Sequence, residues 1–285
     1  MRWQSSERWS GPLTSGKGWL PFWKNENRTT PAAQESAGQK RVAEERKSMA
    51  RFFIVGDIHA CPRELAALLS ALALKPEDRL VFLGDYIDRG PGAREVIDLL
   101  LGLRADNVCG LTFLKGNHED MFLDFLGYEG MYGDAFLMNG GVQTLHSYGC
   151  EPEADEALVH ECLPESHLQF LRGLALSFPT DDVLCVHAGI DPLRELEEQE
   201  PESLIWIRQE FIDNRHLLPY TVVYGHTPQR EVRFDLPYKV GIDTGLVYGG
   251  RLSCLEWTEK TLYQISKGSQ QVRAFDIKKY WQDVS

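Results

Sequence analysis

Five short polar clusters carry the chemistry of this sequence. They are Gly56-Asp57-Ile58-His59, Gly84-Asp85-Tyr86-Ile87-Asp88-Arg89-Gly90, Gly116-Asn117-His118-Glu119, His187-Ala188-Gly189 and Gly225-His226-Thr227. Each follows an apolar run and contains or adjoins glycine, which lets the backbone turn sharply and side chains converge. Together they offer two Asp, one Asn and three His as metal ligands. Mixed carboxylate, amide and imidazole donors suit Mn, Fe or Zn, whereas a soft-metal site would be rich in thiolates. Six donors exceed what one catalytic ion with open positions needs. Two ions sharing a bridging carboxylate fit better: such pairs sit about 3.5–4 Å apart and clamp both the attacking and the leaving oxygen of a phosphoryl displacement. Taken singly, a Gly-Asp after a strand is most often turn chemistry, and a strand-end His is more often a hydrogen-bonded structural group than a ligand. Five such clusters in one chain, all at strand ends, argue against that explanation.

The elements that must position these clusters are legible from Arg51 onward. Arg51–Val55, Arg79–Leu83 and Val108–Leu114 are short apolar runs that end in the first three clusters. Between them, Pro62 opens a helix at its favoured first position, with Leu65, Leu68, Leu69 and Leu72 on one face. Ala93–Leu101 is a second helix. Alternating strand and helix predicts a layered α/β core with parallel strands, whose carboxyl ends build the site. Residues from about 120 to 180 interrupt the rhythm as a helical insertion with a glycine-rich joint at Asn139-Gly140-Gly141. Strands are predicted again at Asp182–His187, Thr221–Tyr224, Lys239–Ile242 and Leu262–Ser266, with a helix over Ser203–Asp213. Tyr248-Gly249-Gly250 reads as a hairpin turn between Gly245–Val247 and Arg251–Trp257.

The first fifty residues are different material. Trp3, Trp9, Trp19 and Trp23 lie among Gly, Pro, Ser and Asn with no helical or strand period, as in a loose tail or linker. Four tryptophans are unusual for disorder and offer docking groups for the domain or a partner. Met49, two residues before the first strand, is a second candidate start of translation. The domain boundaries are therefore 1–50 for the tail and 51–285 for the catalytic domain.

Composition narrows the function classes. The chain has 285 residues, 43% hydrophobic and 25% charged, an ordinary globular balance. Residues 1–50 hold nine Lys and Arg against five Asp and Glu, net +4, which leaves 51–285 at net −16. That field repels phosphate backbones and argues against nucleic-acid binding. A small anionic substrate would need a local positive site inside the acidic shell. No apolar run reaches the length of a membrane span, and Leu65 to Leu74 reads as a buried helix. The N-terminus has no apolar signal region. The six scattered cysteines form no CxxC pair and are expected to be reduced core residues, so the cytoplasm is the expected location.

In this order, GDIH, GDYIDRG, GNHE, HAG and GHT resemble the motifs of the calcineurin-like metallophosphoesterase superfamily. The DRG of the second motif makes the chain similar to the PPP-type serine/threonine phosphatases, in particular their short bacterial members. The resemblance runs from Gly56 to about Trp257. It implies a four-layer fold, two mixed β-sheets flanked by helices. It implies Asp57, His59 and Asp85 on a first metal, Asp85 bridging, and Asn117, His187 and His226 on a second. His118, paired with Asp88, would protonate the leaving oxygen, and Arg89 would hold phosphate oxygens. Leu204-Ile205-Trp206-Ile207-Arg208 looks like the family's second phosphate-arginine region, which nominates Arg208; its plain reading is a helix-surface arginine. Glu119 is expected to buttress the site rather than bind metal. One departure stands out: the family's first motif usually ends in glycine, and here the position is Ala60, which adopts positive φ only at a cost.

The expected activity is a phosphomonoester hydrolase with two divalent ions, manganese first and iron or zinc as alternatives, and a hydroxide bridging the ions as nucleophile. The expected partner is a phosphoprotein carrying phosphoserine or phosphothreonine, or else a small phosphoester. Two alternatives remain at this stage. One is a dinucleoside polyphosphate or small nucleotide hydrolase; Asp88 favours the protein phosphatase branch, because related dinucleotide tetraphosphatases often lack that Asp. The other is a non-catalytic binding module, weakened because every expected ligand position is filled. The sequence leaves the oligomeric state open.

Overall fold

The computed structural model describes residues 50–152 and 156–284. The expected tail and its four tryptophans lie outside the described residues. In chain order the elements begin with β1 (Phe52–Val55), α1 (Pro62–Leu72), β2 (Arg79–Phe82), α2 (Ala93–Ala105) and β3 (Gly110–Phe113). The helical insertion follows as α3 (Asn117–Phe125), α4 (Gly141–Tyr148), α5 (Glu156–Cys162) and α6 (Glu165–Arg172). Then come β4 (Ser177–Pro179), β5 (Val183–Val186), α7 (Pro201–Trp206), α8 (Gln209–Ile212), β6 (Thr221–Tyr224), β7 (Arg233–Asp235) and β8 (Lys239–Gly241). The last strands are β9 (Arg251–Glu256), β10 (Thr261–Ser266) and β11 (Val272–Asp276).

The strands form two mixed sheets. One has the order β11-β10-β9-β1-β2-β3 and the other β4-β5-β6-β8-β7. The centre of each is parallel: β1 with β2 and β2 with β3 in the first, β5 with β6 and β6 with β8 in the second. Antiparallel strands close the flanks.

The continuous apolar runs of these strands follow from burial on both faces. Side chains alternate across a strand, so Ile54, Val81, Val183, Cys185 and Val223 pack together between the sheets. Phe53, Val55, Leu80 and Phe82 point the other way and pack under α1 and α2 with Leu65, Leu68, Val96 and Ile97. Leu184, Val186, Val222 and Tyr224 pack under α7 and α8 with Leu204, Ile205, Phe211 and Ile212. The result is four layers, helix–sheet–sheet–helix.

Three expectations need correction. Ser203–Asp213 is not one helix: the chain breaks after Trp206, where Ile207 is extended and Arg208 has φ −130° and ψ −100°. Gly245–Val247 is not a strand; Leu246–Tyr248 forms a single 3₁₀ turn that leads into β9. The cysteines are not all reduced, because Cys150 and Cys162 form a disulfide within the insertion. Only 12 residues separate them, and their Cα atoms lie 6.5 Å apart, within bridging range. Cys61, Cys109, Cys185 and Cys254 are free and buried, as expected. Strands β4, β7 and β11 were not anticipated. Two of them have three residues, too few to show a period, and β11 is largely exposed.

Candidate active site

The five clusters converge at the carboxyl ends of β1, β2, β3, β5 and β6, and the structure brings all ten nominated residues into one region. Asp57, His59, Asp85, Asp88, Asn117, His118, His187 and His226 are all buried. Asp85 is central. Its Oδ2 lies 3.4 Å from His59 Nε2 and its Oδ1 lies 3.3 Å from His187 Nε2. Two groups of side chains are close enough to share an ion, His59 with Asp85 and His118, and Asp85 with His187 and His226. Asp85 belongs to both. Asp57 falls outside these tight groups, because its carboxylate accepts the backbone N–H of His226 at 3.0 and 3.2 Å.

Backbone carbonyls fix the histidine tautomers. His187 Nδ1 meets Leu83 O at 2.9 Å, and His59 Nδ1 meets Ile87 O at 3.0 Å. A carbonyl only accepts, so each Nδ1 carries the proton and each Nε2 turns a lone pair toward Asp85. His187 Nε2, His226 Nδ1 and Asn117 Oδ1 form a triangle with sides of 2.9, 3.1 and 3.2 Å. The His187 and Asn117 atoms are acceptors, so the triangle holds at most one proton. His226 Nε2 and His118 Nε2 are buried with no hydrogen-bond partner.

The electrostatics tell the same story. Burial pushes the Asp57 carboxyl well above its usual range, and neighbouring Asp243 and Asp85 push it further. Burial likewise raises Asp243 to about 6. Burial opposes charge on Asp85 too, but positive charge on the histidines around it, whenever His187, His118 or His59 takes up a proton, holds its carboxyl far below the usual range. Burial lowers His59 to about 3 and keeps His187 and His226 neutral as well. Crowded carboxyls, neutral imidazoles and inward lone pairs form a donor set that fits bound cations.

Glycines make the convergence possible at two points. A Cβ on Gly116 would collide with Asp85 Oδ1, and a Cβ on Gly225 would collide with Asp57 Oδ1. Gly225→Ala should therefore turn Asp57 off the His226 N–H. The expected cost is about 10–100-fold in kcat/KM, the usual scale for losing a group that orients a ligand. Metal stoichiometry measured alongside kcat/KM checks this; normal values for both would show that the orientation of Asp57 does not matter.

The remaining nominated residues surround this centre. His118 Nδ1 contacts Asp88 Oδ2 at 2.6 Å. Burial works against charge on His118, but Asp85 and Asp88 outweigh it and raise its pKa. Arg89 Nη1 donates to His59 Nε2 at 2.6 Å. Arg208 is not a helix-surface residue. The break after α7 swings it onto the fifth cluster, where it reaches Thr227 Oγ1 at 3.3 Å and His226 O at 3.4 Å. Glu119 accepts the backbone N–H groups of Asp85, Tyr86 and Gly116 at 2.7–2.9 Å, tying the second cluster to the third.

The backbone is strained here. His59, Ala60, Asp85, Asp88, Arg89 and His226 all have φ between 45° and 68°. Non-glycine residues accept this region only where surrounding structure over-determines it, as at functional sites. Ala60, at φ 53°, keeps the left-handed geometry despite its methyl group.

Two site residues escaped the sequence reading. Asp243 lies two residues past the end of β8, a further strand-end acid that went unremarked. Thr144 on α4 donates to Asp88 Oδ1 at 2.6 Å and accepts Asp88 N–H at 2.9 Å. Nothing local in the helical insertion announces that role.

Comparison with known proteins agrees with this geometry. The calcineurin-like phosphoesterase profile matches residues 50–260. The bis(5′-nucleosyl)-tetraphosphatase PrpE of Geobacillus thermodenitrificans is 27% identical over 239 residues, covering 74% of this chain and 92% of that protein. Serine/threonine-protein phosphatase 1 of Salmonella typhimurium is 29% identical over 212 residues, covering 73% and 93%. A crystal structure assigned provisionally as a diadenosine tetraphosphatase aligns with TM-score 0.55 and 26% identity, over 77% of this chain and 95% of that one. The profile spans most of the chain and every cluster described above, and the chain accordingly belongs to the calcineurin-like phosphoesterase family.

Proposed function

We propose that this phosphoesterase hydrolyses phosphomonoesters of aliphatic alcohols, with phosphoserine or phosphothreonine in proteins as the first substrate class. The contact between His118 and Asp88 carries this reading. Asp88, held by Thr144, orients the imidazole and keeps a proton available at Nε2, which has no hydrogen-bond partner and lies 4.0 Å from Asp85 Oδ2. A leaving-group acid matters when the departing oxygen is strongly basic, as a serine alkoxide is. A nucleotide leaving through a phosphate oxygen, with a pKa of about 6, needs little such help.

In this proposal Asp57, His59 and Asp85 hold one divalent ion, and Asp85, Asn117, His187 and His226 hold the second. Manganese is the first choice, with iron or zinc as alternatives. When bound, such ions lower the pKa of water toward about 7 and absorb charge on phosphoryl oxygens. Arg89 and Arg208 supply guanidinium groups that bind phosphate oxygens and orient the ester. His118 gives its proton to the departing alcohol.

A second reading, dinucleoside polyphosphate hydrolysis, is favoured by the similarity to PrpE, which carries that activity in its name. Phosphopeptides, diadenosine tetraphosphate and a bis-aryl phosphodiester, compared at equal metal loading, separate the two. A higher kcat/KM on the phosphopeptide is expected; a clear preference for the dinucleotide would overturn the first reading.

The catalytic domain is proposed to begin near residue 51. A chain starting at Met49 is expected to fold and to hydrolyse small phosphoesters at the full-length rate. Loss of folding, read by thermal denaturation, or loss of kcat would place the boundary further upstream.

A further inference from the structure

Beside Arg89 lies a hollow of about 410 Å³ that the proposed chemistry does not use. It is lined by Pro228, Gln229 and Arg230 from the loop after the fifth cluster and by the turn bearing Tyr248. Tyr248 is 63% exposed, among the largest exposures of any aromatic in the described residues. Exposure alone would mean little, but three further features give this ring a purpose.

First, the ring is tied to the reaction centre. The Arg89 guanidinium lies 5.4 Å from its centroid, while Nη1 of the same group contacts His59. A phosphate held by Arg89 therefore sits next to an aromatic face. Second, the turn that carries the ring is held by backbone hydrogen bonds. The 3₁₀ turn is closed by Tyr248 N–H to Gly245 O at 3.0 Å and Gly249 N–H to Leu246 O at 3.1 Å. Gly250 N–H also donates to Gly245 O at 3.0 Å. A preorganised turn spares the backbone share of the ordering cost on binding. Third, two arginines line the hollow, one of them already paired with an acid. Its charged lining residues are Arg230 and Arg251, with no acid among them. Arg251 is engaged by Glu231 through two contacts of 2.8 and 2.9 Å, whereas Arg230 is exposed at the rim.

We propose that this hollow is a nucleobase subsite, with Tyr248 as its stacking platform and Gln229 and Arg230 as polar groups at the edge of the base. An aromatic side chain beside a phosphate-holding arginine, with hydrogen-bonding side chains in the same hollow, is the chemistry that recognises a nucleotide. The inference rests on Arg89 binding phosphate. It does not depend on whether the preferred leaving group is a serine or a nucleotide.

The test uses ligands whose C–P bond the enzyme does not hydrolyse: methylphosphonate, phenylphosphonate and the 5′-phosphonate analogue of adenosine monophosphate. Each is titrated calorimetrically into the full-length, metal-loaded protein. The adenosine compound should bind on the order of tenfold more tightly than methylphosphonate, the scale of one base stacked on one aromatic side chain. Tyr248→Leu, which keeps bulk and loses the ring, should bring that ratio to within about twofold of one, whereas Tyr248→Phe should preserve it. A ratio near one in the unmodified protein, or a full ratio in Tyr248→Leu, would overturn the subsite. An equal gain from phenylphosphonate would overturn the nucleobase assignment in favour of a directly attached aryl ring. Failure of all three ligands to bind would sink the phosphate-site reading as well; binding of methylphosphonate with no gain from adenosine would sink the subsite alone.

Discussion

Asp85→Asn is expected to remove nearly all turnover, at least about 10³-fold in kcat, and to weaken metal retention at both positions together. The reason is its place at the centre of the site. Its two oxygens face His59 and His187 separately, and it is the one carboxylate common to both potential ion groups. Asparagine matches its shape but carries no charge, so an ion on either side would lose the same anionic partner. The Asp85 oxygen that accepts the His118 backbone N–H at 3.3 Å can remain an acceptor, which limits collateral rearrangement. Metal stoichiometry and kcat, measured on the same preparation, check the result. Near-normal values for both would sink the two-ion assignment; loss of one ion with the other retained would show that Asp85 serves a single position.

His118→Asn should separate acid catalysis from metal binding. The variant is expected to retain metal and to lose on the order of 10²–10⁴-fold in kcat on a phosphoserine peptide, the usual worth of a positioned general acid. On p-nitrophenyl phosphate the loss should be clearly smaller, because p-nitrophenolate, with a conjugate-acid pKa of about 7, departs without a proton. Asp88→Asn should show the same substrate selectivity more mildly, since it orients the imidazole rather than meeting the substrate. Thr144→Val should follow Asp88→Asn in direction, because Thr144 both donates to Asp88 and accepts from it. Equal losses on both substrates, with metal retained and chemistry rate-limiting, would rule out His118 as the leaving-group acid. It would then be a phosphate-binding or structural residue.

Much of the architecture was legible in local pattern. The runs around Phe53, Val81 and Val223 are apolar at successive positions, because their strands are covered on both faces. Leu65, Leu68 and Leu72 repeat at helical spacing, because one face of α1 rests on the first sheet. The polar clusters were visible because each interrupts an apolar run at the carboxyl end of a parallel strand, where open α/β sheets build their sites. Where elements were short the signal failed. The break at Ile207-Arg208 left no proline or glycine to mark it, and the turn at Tyr248 resembled a hairpin because its glycines suit either geometry.

The sequence by itself determined which atoms are available for chemistry: the types of the donors, their order along the chain, and the strand ends that carry them. These depend on interactions within a few residues, and side-chain period reports them directly. Tertiary structure alone decided how those atoms meet. His226 and Asp57 are 169 residues apart and come into hydrogen-bonding contact only because β1 and β6 lie in different sheets packed face to face. The same long-range packing sets Thr144 on Asp88, turns Arg208 onto the fifth cluster and adds Asp243 to the buried carboxyls. None of these contacts has a local signature, because each is fixed by where whole layers settle as they bury their apolar faces, and that is a property of the entire chain.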